Sequence, residues 1–265
     1  MGRFVRCARG EVGWPGEVNC TSFGIVTEVG GGEKLAASSV EEEMGKEREI
    51  KLRIEDLPGL RRRLAKLGAR VVRPRLHERN ALFDTAQGSL ARREQLLRIR
   101  TESPVGRSRK EVPRSMVTFK RPITMPGSRK SRERHKVREE IELEIVDPKG
   151  LATIFEGLGM NRWFQYEKFR TTFGLRASNA WAAGLLIELD ETPIGVFLEL
   201  EGPASAIDRA AKTLGFEKRD YILANYMVLY REDCRRRGKA PRDMLFAPRQ
   251  NGKRAASFKK RKLFS

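Results

Sequence analysis

The sequence predicts an α+β fold in which eight β-strands close, or nearly close, into a barrel with a charged lumen and helices packed outside. Three observations predict it. Seven segments alternate apolar with charged residues, which gives each of those strands one apolar and one charged face, and NALFDT supplies an eighth candidate strand. The charged faces carry both signs, and the like residues recur at i, i+2, about 6.7 Å apart on one side of a strand. Three of the strands run into an amphipathic stretch that stops at a glycine, as a helix folded back over the apolar face would.

The first strand is EREIK, 47–51, with Glu47, Glu49 and Lys51 on one face. Asp56 then suits the N-cap of a helix carrying Leu60, Leu64 and Leu67 and ending at Gly68. NALFDT, 80–85, is the second strand. LLRIR, 96–100, sets Arg98 and Arg100 against Leu97 and Ile99, and VTFK, 117–120, sets Thr118 and Lys120 against Phe119. REEIELEI, 138–145, places Arg138, Glu140, Glu142 and Glu144 opposite Ile141, Leu143 and Ile145. The helix after it has Asp147 as N-cap, Pro148 in its first turn, a stripe of Leu151, Ile154, Phe155 and Leu158, and Gly159 at its end. EKFRTTF, 167–173, aligns Lys168 with Arg170. LLIELDE, 185–191, aligns Glu188 with Asp190, and VFLELE, 196–201, aligns Glu199 with Glu201. A third helix carries Ile207, Ala211 and Leu214 and stops at Gly215. The stretch DYILANYMVLYREDC, 220–234, is expected to be helical too, with Ile222, Tyr226 and Tyr230 at i, i+4 spacing as a core-packing stripe.

For any single strand, a charged face is ordinarily the solvent side of an antiparallel sheet. A solvent side mixes Thr, Ser, Lys and Glu loosely. Here the acids come repeatedly as Glu-x-Glu and the bases as Arg-x-Arg and Lys-x-Arg. Helices over the apolar faces would turn these charges inward, and closure removes exposed edges. An interior of mixed charge is costly when empty. It suits a polyanion bound with a divalent cation, carboxylates holding the cation and Arg and Lys the phosphate oxygens.

The net charge of +19 is unevenly spread. Residues 235–265 hold 12 bases and one acid, and are expected to be a solvated basic tail. Residues 1–45 have no clear period and are expected to be a flexible extension, which leaves 46–234 as the folded domain. The tail could touch nucleic acid, but only non-specifically. Cys7, Cys20 and Cys234 have no metal-type spacing, which points to a reducing, cytoplasmic setting. No apolar run approaches a membrane span, and the N-terminus lacks the apolar core of a signal peptide. The two histidines, His77 and His135, precede a strand and sit in a basic stretch, and both read as bystanders.

With these segments in order, the chain resembles the CYTH superfamily, the triphosphate tunnel metalloenzymes. Glu47-x-Glu49-x-Lys51 matches that family's ExExK motif, and LFDT, LLRIR, TFK, REEIELE and LDETPIGVFLELEGP follow in the family's order over about residues 47–231. The resemblance implies an eight-stranded antiparallel tunnel that binds a triphosphate with Mg²⁺ or Mn²⁺. EREIKLR and DYILANY look most like the class IV adenylate cyclase branch, which converts ATP to cyclic AMP and pyrophosphate. A tripolyphosphatase or thiamine triphosphatase is the alternative, and a non-catalytic polyphosphate or nucleic-acid binder a second one.

Carried over by position, Glu47, Glu49, Glu140, Glu142, Asp190, Glu199 and Glu201 are the implied metal ligands, with either Glu140 or Glu142 serving. Lys51, Arg98, Arg100, Lys120, Arg138, Lys168 and Arg170 are the implied phosphate ligands. Lys51, Arg100, Lys120 and Asp190 are the implied catalytic set. The implied partner is a nucleoside or inorganic triphosphate, and a homodimer is left open.

Overall fold

The computed structural model describes residues 46–106, 112–123, 135–176 and 179–247. The extension expected over 1–45 and the end of the expected tail, 248–265, lie outside the described residues. The elements run β1 (Lys46–Ile54), α1 (Leu57–Leu67), β2 (Arg70–Thr85), α2 (Ser89–Arg92), β3 (Leu96–Pro104), β4 (Arg114–Pro122), β5 (Lys136–Ile145), α3 (Pro148–Gly157), β6 (Met160–Gly174), β7 (Leu186–Thr192), β8 (Gly195–Glu201), α4 (Ala204–Thr213) and α5 (Tyr226–Arg236). The strands form a closed barrel in the order β1-β5-β4-β3-β2-β6-β7-β8, with every neighbouring pair antiparallel.

Alternation decides which side faces in. On β1, β7 and β8 the apolar residues Ile50, Leu52, Ile187, Leu189, Leu198 and Leu200 point outward into a core closed by Leu60 and Leu64 of α1 and Ile207, Ala210 and Ala211 of α4. Each Leu and Ile among these, fully buried, contributes roughly 1.5–3 kcal/mol as it leaves water. The helix boundaries follow the sequence. Asp56 Oδ1 accepts a hydrogen bond from Gly59 N at 2.9 Å, and Gly68 takes the left-handed φ of 78° that ends α1.

The longest pair, β2 and β6, slips register around Pro74, where a ladder N–H is missing. Asp84 of the LFDT motif is an anchor for α2. Its two carboxylate oxygens accept from Leu90 N and Ala91 N, both at 2.9 Å.

Three expectations change. Helix α5 begins only at Tyr226, with Asn225 as its N-cap. The residues before it are extended, because Ile222 exchanges two backbone hydrogen bonds with Lys51 (3.0 and 2.9 Å) and occupies the place beside β1 where β5 has ended. The stripe of α3 is only half used: Phe155 packs edge-on against Phe83, while Ile154 and Leu158 are exposed. Among the described residues no helix covers the outer face of β5, where Ile141 and Leu143 are also exposed.

The first part of the expected basic tail is docked. Met244 is buried, its N–H donates to Gln165 O at 2.9 Å, and its carbonyl accepts from Glu167 N at 3.0 Å. A second apolar cluster, Leu82, Phe164, Tyr166, Phe197, Tyr226, Leu229 and Met244, lies at this end of the barrel. The register puts Leu82 and Phe197 on the lumen side, so one end of the lumen is apolar and capped by α5.

Candidate active site

The lumen is a cavity of ≈ 220 Å³ lined by charge from all eight strands, with Glu47, Glu49 and Lys51 on β1 and Glu199 and Glu201 on β8. Arg98, Arg100, Lys120, Arg138, Lys168 and Arg170 supply the cationic wall, and Glu140 and Glu142 alternate with it on β5. Every predicted site residue except Asp190 therefore lines one cavity.

Charge pairing in the lumen is dense. Lys51 Nζ lies 3.2 Å from Glu49 and 3.3 Å from Glu199. Lys120 Nζ lies 2.6 Å from Glu47 and 3.1 Å from Glu140. Arg100 Nη2 donates to Glu142 at 3.0 Å, and Thr118 Oγ1 donates to the same carboxylate at 2.7 Å. Arg138 Nη2 bridges Glu47 and Glu49, at 3.3 Å from each. Arg170 reaches Glu188, Asp190 and Glu199 together.

Asp190 is enclosed behind this wall. It is wholly buried and accepts from Lys168 Nζ at 2.9 Å, from Arg170 Nε at 2.7 Å and from the Tyr226 hydroxyl at 2.7 Å. It holds the two cations and the plug helix rather than facing the cavity.

The electrostatics are asymmetric. Burial would raise Glu49, but Lys51, Lys136, Lys120 and Arg138 hold it well below the usual carboxylate range. Burial likewise opposes Glu199, which Lys51, Arg170 and Lys168 hold well below that range. Glu201 goes the other way. Burial, with Glu188 and Glu47 as like charges, pushes it up to about 8. Burial, with Glu199 and Asp190, pushes Glu188 up to about 7 against the pull of Arg170. The register explains the crowding, since Glu49 stands opposite Glu201 and Glu188 opposite Glu199. Like charges directly opposite one another on a sheet repel.

Two tests show what the lumen fits. The Nε groups of Arg98 and Arg138 and both amide atoms of Asn80 are buried without a hydrogen-bond partner. Buried donors are ordinarily satisfied, and phosphate oxygens would satisfy these arginines. The crowded carboxylates supply the hard oxygen donors that Mg²⁺ and Mn²⁺ take. Among the described residues no three Asp, Glu, His or Cys groups converge as a ready metal cage.

Sequence reasoning missed Glu78, Lys136 and Tyr226 as lumen residues, and it placed Asn80 in a strand and Glu188 beside Asp190 on a charged face without carrying either into the site. Glu78 is buried with Lys168 Nζ at 3.4 Å, and Glu78-x-Asn80 continues the alternation of NALFDT backwards. Lys136 Nζ lies 3.0 Å from Glu49 and extends the β5 alternation two residues before Arg138. Burial depresses Lys136 to about 8, more than Glu49 restores. Tyr226 had no such signal, because its spacing reads equally well as plain packing. The histidines lie outside this cluster, His77 3.8 Å from Glu167 and His135 2.9 Å from Asp208.

Comparison with known proteins agrees with this geometry. A CYTH domain profile matches residues 45–222. A solved structure of the PH1819 protein of Pyrococcus horikoshii is 22% identical, with a TM-score of 0.56, and the match covers 71% of this chain and 99% of that one. A Vibrio parahaemolyticus protein provisionally named an adenylate cyclase is 16% identical, with a TM-score of 0.54 over 69% of this chain and 95% of that one. The PH1012 protein of P. horikoshii is 23% identical, with a TM-score of 0.51 over 68% and 96%. No curated protein matches.

Proposed function

The chain belongs to the CYTH domain family, and from that premise we propose that it is a metal-dependent enzyme of organic triphosphates that converts ATP to cyclic AMP and pyrophosphate. The observation that carries the reading is the lumen itself: nine cations and a set of crowded carboxylates on the inner faces of one closed barrel. The cyclase choice rests on the likeness of EREIKLR and DYILANY to that branch, and the name of the V. parahaemolyticus neighbour accords with it.

In this reading Arg98, Arg100, Lys120, Arg138, Lys168 and Arg170 grip the phosphate chain. They align it and stabilise the charge that spreads over the phosphoryl oxygens as the 3′-oxygen bonds to the α-phosphorus and the bond to the leaving pyrophosphate breaks. One or two of Glu47, Glu49, Glu199 and Glu201 would hold the divalent ion, which when bound would lower the pKa of the attacking hydroxyl and neutralise charge on the leaving group. Glu140 and Glu142 stand on β5, next to β1 in the barrel, and orient Lys120 and Arg100. Asp190 is a positioning residue that fixes Lys168 and Arg170. Lys51, poised between Glu49 and Glu199, keeps its proton: burial opposes this, but the two carboxylates outweigh it and raise its pKa.

The test is product identification. ATP, tripolyphosphate and thiamine triphosphate are incubated separately with Mg²⁺ or Mn²⁺. Cyclic AMP and pyrophosphate from ATP support the cyclase. Orthophosphate from tripolyphosphate with ATP untouched makes the protein a tripolyphosphatase in the same tunnel. Binding without turnover makes it a polyphosphate binder.

A further inference from the structure

The outer surface of β4 and β5 is apolar and lies largely bare. On these strands the lumen takes Lys120, Arg138, Glu140 and Glu142. Alternation turns the residues between them outward, and the register sets those residues in rows. Ile141 of β5 stands opposite Phe119 of β4, Phe119 opposite Leu97 of β3, and Leu97 opposite Phe83 of β2. Beside that row, Leu143 stands opposite Val117, and Val117 opposite Ile99. At the β2 end the rows are covered: Phe83 and Ile99 are buried, and Phe155 of α3 packs edge-on against Phe83 with 5.2 Å between ring centres. At the β5 end they are not. Ile141 is 50% and Leu143 61% exposed. Val146, just past β5, and Ile154 and Leu158, at the end of α3, are exposed as well. Single apolar side chains on a surface are ordinary, but a contiguous group of large ones marks an interaction surface.

Charge decides what covers it. The chain carries +19, so two copies repel one another through most of their surface. The outer faces of β4 and β5 hold only two charged residues, Arg121 and Glu139, and these cancel. They stand opposite each other across the strands, with Arg121 Nε and Nη2 donating to the Glu139 carboxylate at 2.7 and 3.0 Å. A neutral, apolar face with one base and one acid side by side at one level is complementary to itself. A twofold axis running along the strands, midway between β4 and β5 and in the plane of contact, lays β4 of each copy over β5 of the other at the same level. Arg121 then meets Glu139 of the second copy, Phe119 meets its Ile141, and Val117 meets its Leu143. In such an arrangement each contact occurs twice, as a twofold interface requires, and the strands stay aligned, as in sheets packed face to face.

We propose that two copies of this chain pair through the outer faces of β4 and β5, sheet on sheet, with the two lumens on opposite sides of the contact. The pairing uses the face of each strand that the lumen does not, and it stands whether or not the lumen turns over a triphosphate.

Sedimentation of the full chain tests it over about 0.1 to 100 µM, within the span of affinities that interfaces of ordinary size show. The expected result is a reversible equilibrium between one chain and two. Leu143→Glu, at a position open to solvent in the single chain, puts an unpaired charge into the contact and should weaken the dimer by about 100-fold or more. Arg121→Glu sets like charges against each other on both sides of the axis and should weaken it by about tenfold. Combining Arg121→Glu with Glu139→Arg exchanges the two charges, restores every pair, and should return the dimer to within about threefold of the original. A single-chain mass at every concentration overturns the proposal. A dimer that Leu143→Glu leaves intact overturns it too, because the contact then lies on another face, and so does a defect in Arg121→Glu that the exchange does not repair. Circular dichroism confirms that each variant has folded, and Ile141→Glu takes the place of Leu143→Glu if the latter has not.

Discussion

The Tyr226 hydroxyl donates to Asp190 Oδ2 at 2.7 Å, joining the first turn of the capping helix to the wall of the lumen. The same oxygen accepts from Lys168 at 2.9 Å, so the cap and a phosphate-binding cation share one carboxylate. Tyr226→Phe should therefore loosen Lys168 without unfolding the chain. The expected loss of stability is about 1 kcal/mol for one hydrogen bond. Turnover should fall severalfold and KM should rise severalfold, while the melting temperature drops by only a few degrees, on the order of 2–4 °C. An unchanged KM would make the bond purely structural.

Arg100→Ala should cut turnover of any triphosphate by about 30- to 1000-fold, which corresponds to roughly 2–4 kcal/mol for a lost phosphoryl-stabilising donor. Steady-state kinetics on ATP and tripolyphosphate would show it, and a loss under about threefold would remove Arg100 from the catalytic set.

Glu199 and Glu201 are two residues apart on one strand and should respond to neutralisation with opposite signs. Glu199 is held below its ordinary range by Lys51, Arg170 and Lys168, so Glu199→Gln should lower stability at pH 7. The stability it contributes is present above the unfolded carboxylate range and lost as pH falls. Glu201 is raised from 4.5 to about 8, so the native state holds its proton longer than the unfolded chain. It costs stability as pH climbs between those values. Glu201→Gln should therefore gain on the order of 1–2 kcal/mol at pH 8.5 and almost nothing at pH 4.5. Urea unfolding in EDTA at the two pH values measures both.

Chelation should abolish turnover, and Mg²⁺ or Mn²⁺ should restore it. Because Glu201 must give up its proton to ligate an ion, metal affinity should rise as pH approaches about 8. Full turnover in excess EDTA would remove the metal from the mechanism.

Deleting residues 248–265 should leave melting and turnover unchanged. Deleting 238–265 should lower stability by about 2–5 kcal/mol, the usual cost of emptying a large buried apolar site, because it removes buried Met244 from beside Tyr166 and Phe164. Equal melting temperatures for the two truncations would show that Met244 does not seal the barrel.

Strand alternation made most of the barrel legible, because a period of two is a local property and Glu47, Glu49 and Lys51 announce their face in five residues. The glycine stops were legible for the same reason: Gly68, Gly159 and Gly215 all adopt positive φ in the structure. What stayed hidden depends on partners far along the chain. Ile222 reads as helical until Lys51 is seen to pair with its backbone. Asp190 reads as a lumen carboxylate by alternation, yet Lys168, Arg170 and Tyr226 converge on it from β6 and α5 and seal it. Met244 sits in a basic stretch whose composition says solvent, while the unpaired edge of β6 at Gln165–Glu167 takes it as a partner.

Closure of the barrel has a consequence for the chain during its synthesis. β1 is seamed on both sides by late strands, β5 and β8, and by Ile222. On the ribosome it must wait for about 150 further residues, roughly 10–30 s at ordinary elongation rates. Meanwhile Ile50, Leu52 and Ile54 have only the following α1 to lie against. The nascent protein is thus an open, curling sheet that gains its last wall at once, and its folding should be slow for its size, since the contacts that finish it are the most distant ones. A chain stalled before β8 would leave the β8-side edge of half-apolar β1 unpaired, and that is the species a chaperone would meet.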